Sequence, residues 1–73
     1  MDNIAIGHSA LRNLTIGSRC FALGKNAGRD NISQDDMVYI NDDEGNELLA
    51  IKSPEISEVL RGAYNKLIAR GNK

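Results

Sequence analysis

From residue 54 onward the apolar side chains fall at Ile56, Val59, Leu60, Ala63, Tyr64, Leu67 and Ile68. The i, i+3, i+4, i+7 spacing is one side of an amphipathic helix. Glu58, Arg61, Gly62 and Lys66 fall on the other side. Ser53-Pro54-Glu55 supplies the start. A serine oxygen accepts from an orphan N–H, proline at the first helical position gives up no bond, and an acid complements the dipole. Gly71 offers a left-handed cap after Arg70. A helix is predicted over 54–70. Burying its stripe contributes on the order of 10–15 kcal/mol at most, and ordering its residues costs as much or more. The helix therefore needs a surface to pack on, in this chain or in a partner.

The preceding segment offers one. Met37-Val38-Tyr39-Ile40 and Leu48-Leu49-Ala50-Ile51 have the β-branched and aromatic content of strands. Asn41-Asp42-Asp43-Glu44-Gly45-Asn46 between them is dense in turn formers, with Gly45-Asn46 suited to positive φ. A β-hairpin is predicted over 37–51. Packed on the helix, it gives an expected core of Tyr39, Leu49, Ile51, Val59, Leu60, Tyr64 and Leu67. Asp42, Glu44 and Asn46 alternate like calcium ligands, but no bidentate Glu stands where an EF-hand loop needs one. The turn reads as acidic and solvated.

Residues 1–30 carry no helical stripe. Glycine punctuates short units instead: Ala5-Ile6-Gly7-His8-Ser9-Ala10, Thr15-Ile16-Gly17-Ser18 and Ala22-Leu23-Gly24-Lys25-Asn26-Ala27. The first and third align at an offset of 17 residues. Such units suit very short strands joined by tight turns, and their low apolar density predicts a flexible, loosely ordered segment.

These units, with Leu11 and Gly28-Arg29, resemble the β-roll repeat of phage tail fibres and trimeric adhesin heads. The likeness covers about half the chain, roughly residues 3–40, and in that family the repeats stack into a trimeric shaft. At outward positions where the family usually carries Asn, Ser or Thr, this chain has Arg12, Arg19, Lys25 and Arg29. The small, phage-like chain is also similar to the host-RNA-polymerase-binding transcription regulators of lytic phages such as those of Xanthomonas. That second likeness implies binding to bacterial RNA polymerase, inhibition of initiation and antitermination.

Composition narrows the classes. Seventy-three residues make one domain, 1–73, of marginal intrinsic stability. Cys20 is the one cysteine, which argues against a disulfide scaffold, and it reads as a small apolar residue between Arg19 and Phe21. No signal peptide or membrane span is legible, so a complete, soluble, cytoplasmic protein of a host bacterial cell is expected. His8, the one histidine, has no acid or metal-ligand partner at useful spacing. Gly24-Lys25-Asn26-Ala27-Gly28-Arg29 does not meet the P-loop pattern. No catalytic residue, metal ligand or cofactor is predicted, and the chain is expected not to be an enzyme.

Charge is the remaining signal. Residues 1–29 hold Arg12, Arg19, Lys25 and Arg29 against Asp2, a net of +3. Residues 30–47 hold seven acids and no base, and residues 48–73 are again +3. Such blocks either pair within the fold or steer association with a partner.

The expectation is an α+β domain in which short strands and a hairpin pack on one C-terminal helix. Arg12, Arg19, Lys25 and Arg29, with Asp42, Asp43 and Glu44, are the candidate partner-binding residues. The expected partner is bacterial RNA polymerase, with nearby RNA a further contact and no sequence-specific nucleic-acid binding. The free protein is expected to be a monomer, because three repeats cannot close a trimeric shaft and one hairpin would just cover the helix stripe. A structural repeat module of a fibre or virion protein is the alternative.

Overall fold

A computed structural model describes residues 3–13, 17–31 and 33–71. Thr15 and Ile16, in the second of the glycine units, lie outside the described residues. The chain is an α+β domain: strands β1 (Ile4–Ile6), β2 (Phe21–Leu23), β3 (Met37–Asn41) and β4 (Glu47–Lys52), then helix α1 (Pro54–Gly71). The sheet order is β1-β2-β3-β4. The β1–β2 and β2–β3 pairs are parallel, and β3–β4 is the antiparallel hairpin.

The parallel registers are Ile4↔Phe21↔Val38, Ala5↔Ala22↔Tyr39 and Ile6↔Leu23↔Ile40. Each step is 17 residues, so the offset between the glycine units is the repeat of a coil. The coil repeats in its turns as well. Ala10 N–H donates to Gly7 O, and Ala27 N–H to Gly24 O, both at 3.3 Å. Positive φ recurs at Gly7 and Gly24, Ser9 and Asn26, Leu11 and Gly28, and Arg19 and Asp36. Hydrogen bonds tie one coil to the next outside the strands too, from Asn26 N–H to His8 O at 2.8 Å and from Leu11 N–H to Ala27 O at 2.9 Å. These turn bonds extend the contact between coils beyond the three-residue strands.

Successive strand residues point to opposite faces. The face inside the coil is narrow and takes small residues: Cys20, Ala22, Ala27 and Leu11 are buried, with Ala10, Met37 and Tyr39 half-buried against them. The other face buries Phe21 and Val38 beneath α1, which meets β2 and β3. The core therefore lies largely in the first half of the chain. This corrects the expected core in two respects. Tyr39, Leu49, Ile51, Leu60 and Tyr64 are only half-buried, and Val59 and Leu67 are exposed at 68% and 65%. The reason is that the sheet takes only part of the helix stripe.

α1 begins as the sequence predicts. Pro54 is its first residue, and Ser53 Oγ accepts from Ile56 N–H at 3.2 Å. Gly71 belongs to the helix instead of capping it. Ser57 anchors it: this side chain is fully buried, its hydroxyl donates to the Arg19 carbonyl, and it accepts from Arg61 Nε at 3.0 Å. Ser53 N–H donates to Asp36 O at 2.9 Å beside it. Ser57→Ala removes both hydroxyl bonds, at a net cost of about 1–2 kcal/mol. The expected result is a lower urea midpoint with the helical circular dichroism lost in the same transition.

Candidate interaction surfaces

The bases predicted to form one contact face are distributed around the coil. Arg12 and Arg29 occupy equivalent positions one repeat apart, and both are exposed. Lys25 follows β2 and Arg19 precedes it. Arg19 forks onto Asp36, Nε to Oδ1 at 2.8 Å and Nη2 to Oδ2 at 3.3 Å. These two residues are one repeat apart and both have positive φ, so the ion pair runs along the coil stack. Lys25 lines an open cleft of about 490 Å³ with His8, Asp42 and Asp43, above Ile6 and Leu23. Arg29 shares a second cleft, of about 240 Å³, with Asp30 and Glu47. The positive and negative blocks of the sequence are thus interleaved in space, and at Arg19–Asp36 they pair.

The acidic turn splits by role. Asp42 is spent on the hairpin: its Oδ1 accepts from Glu44 N–H at 2.9 Å and Asn46 N–H at 2.8 Å, and its Oδ2 from Asn46 Nδ2 at 3.0 Å. Gly45 takes the positive φ, at 92°. Asp43 and Glu44 are exposed. Cys20 is buried as expected, but among polar groups: its Sγ lies 3.3 Å from Gln34 O and 3.7 Å from Asn31 Nδ2.

The perturbed carboxylates have structural causes. The Arg19 hydrogen bond holds Asp36 below the ordinary aspartate range. The Asn46 backbone N–H, and then its side chain, do the same for Asp42. Burial pushes the Tyr39 phenol up. A depressed carboxylate stabilises the fold above its unfolded-state pKa, and that contribution disappears as pH falls through the folded value. Acidification from about pH 5 to about pH 2 is therefore expected to lower the urea midpoint, and Asp36→Asn to flatten part of that dependence. A midpoint profile identical in the variant would show that the Arg19 pair contributes nothing.

The surface that sequence reasoning missed is apolar. Ile56, Val59, Leu67 and Ile68 of α1 are exposed at 43%, 68%, 65% and 45%. Their spacing was legible, but nothing local in the sequence says which side of the stripe the sheet will take. The expectation of a monomer rested in part on the hairpin covering that stripe, and the fold leaves much of it bare.

Compared with protein families, with curated proteins and with solved structures, the chain finds no match in any of the three. Among the described residues, no group of three or more His, Cys, Asp or Glu side chains is placed to hold a metal ion. No helix among them is long and apolar enough to cross a membrane.

Proposed function

We propose that the chain is a non-catalytic structural module of a fibre-type assembly: a short stack of coils ending in a helix that contacts another protein chain. The observation that carries this reading is the bare apolar side of α1 on a domain whose own core is already filled by Cys20, Ala22, Ala27, Phe21 and Val38. The largest exposed apolar patch of a small domain is often its functional contact. The in-register 17-residue coils fit a scaffold, since stacked repeats bury a core only through their neighbours. The perturbed groups support it as well. Strongly shifted side chains gather at catalytic sites, and here Asp36 and Asp42 are each held by a structural partner.

The test is a variant carrying Val59→Ser and Leu67→Ser. Exposed positions away from the core change stability by no more than about 0.5 kcal/mol each. The variant is expected to keep its urea midpoint and to lose self-association in sedimentation. Unfolding of the variant would place both side chains in the core and overturn the reading.

A regulator of bacterial RNA polymerase, inhibiting initiation and promoting antitermination, is the second reading. The observation in its favour is the exposure of Arg12, Lys25, Arg29, Asp43 and Glu44, charges a partner of mixed sign could engage. Salt-sensitive binding to purified polymerase, weakened by Lys25→Glu, is what it requires.

A further inference from the structure

α1 carries two adjoining strips. Ser57, Leu60, Arg61 and Tyr64 face the sheet, Ser57 buried and the others half-buried. Beside them run Ile56, Leu60, Ala63 and Leu67, spaced four, three and four residues apart. That is the 3.5-residue repeat of a coiled-coil seam. Ile68, four residues after Tyr64, points to the sheet side and is still 45% exposed. The last turns of α1 therefore run on beyond the sheet.

Charge decides what fits this seam. Glu55 and Lys66 are eleven residues apart, three turns of helix, and so lie on one flank of the seam, away from the sheet. Both are exposed, and among the described residues neither has an ion-pair partner within the chain. The flank is acidic near the start of α1 and basic towards its end.

We propose that the seam packs against the same seam of a second copy, running antiparallel about a two-fold axis; this rests on the assembly reading above and names its partner. In that arrangement Ile56 meets the second copy's Leu67, and Leu60 meets its Ala63, large against small. Glu55 of each copy faces Lys66 of the other, so both charges are matched twice. A parallel pair would set the Glu55–Lys66 flank against the sheet-facing strip, where Ser57, Arg61 and Tyr64 are already engaged, and would leave that match unmade. Ile56 and Leu67, 43% and 65% exposed, are the large bare side chains of the seam, so the contact falls well short of the ~800 Å² per partner of a standard interface, which makes the pair weak and reversible.

Cross-linking tests the geometry. The variants Glu55→Cys and Lys66→Cys are made in the full chain, where Cys20 is buried. They are treated with a short bis-maleimide, separately and as an equal mixture at about 200 μM, a concentration suited to a weak interface. An isologous antiparallel pair brings position 55 of one copy to the same side as position 66 of the other, within reach of such a linker, so the mixture is expected to yield roughly fivefold more cross-linked dimer than either variant alone. Adding Leu67→Asp is expected to abolish that excess. Efficient dimer formation by each variant alone would overturn the antiparallel seam while leaving assembly standing. A dimeric mass in sedimentation with no cross-link above that of the Leu67→Asp control would place the contact elsewhere and also overturn the seam. A monomeric mass with no cross-link would overturn the seam and the self-assembly on which it rests.

Discussion

Gly24→Ala is expected to remove a large fraction of the protein's stability. Gly24 follows β2 with φ +110°, a region that side chains rarely adopt, and a Cβ there would run into the backbone carbonyl of Asn41 on the next coil. Its N–H donates to Ile6 O of the preceding coil at 2.8 Å, so the backbone cannot withdraw without opening the stack. Strain of this kind costs about 1–3 kcal/mol, and displacing β2 from β3 adds to it. A total of about 3 kcal/mol or more is a large fraction of the about 4–11 kcal/mol available to a chain of this length. Gly62→Ala is the control. A Cβ at Gly62, within α1, meets nothing within 4 Å, so alanine is expected to stabilise by about 0.5–1 kcal/mol. Urea unfolding followed by circular dichroism separates the two. Equal midpoints for both variants would mean that the coils do not stack in this register.

Phe21→Ala is the second large effect, with an expected loss of about 3–5 kcal/mol. Phe21 is 6% exposed, held between the sheet and α1 beside the fully buried Val38. Phe21 and Val38 are the buried strand residues on the face that α1 covers, and the small domain has little reserve to absorb the cavity. Leu67→Ala, at a side chain 65% exposed, is expected to change stability by no more than about 0.5 kcal/mol. The comparison is pointed because apolar density alone places Leu67 in the core. A larger loss at Leu67 than at Phe21 would reverse the placement of α1.

Much of the second half was legible because its signals are local. Ser53-Pro54 starts the helix where capping chemistry puts it, and the turn after β3 forms around Asp42 and Gly45 as turn propensity suggests. The 17-residue offset of the glycine units was legible too. The likeness reached residue 40, but a third unit in β3 was not picked out, because Asn41 stands where the earlier coils have Gly7 and Gly24, and Tyr39 where they have Ala5 and Ala22. The parallel pairing of β1 and β2 with the hairpin was hidden by that change. The core was misplaced for a related reason. A narrow coil interior selects Cys20, Ala22 and Ala27, residues too small to weigh in a count of apolar bulk.

The charged site was less legible than the fold. Sequence order separates Arg19 from Asp36 into opposite blocks, whereas the coil repeat stacks one on the other. Lys25 and the acidic turn likewise come to one cleft. A period applied to charges as well as to glycines finds the Arg19–Asp36 pair. The helix seam is different: its 4-3-4 spacing is visible in the sequence, but its exposure depends on how far the sheet extends beneath α1.

Sedimentation equilibrium of the full chain, from about 1 μM to about 200 μM, spanning the range of a weak interface, tests the central claim most directly. Self-assembly through α1 predicts a mass that rises reversibly from 8.0 kDa towards twice that value, and a Leu67→Asp variant that stays at 8.0 kDa with its fold intact. A mass of 8.0 kDa at every concentration for the unaltered chain would contradict it.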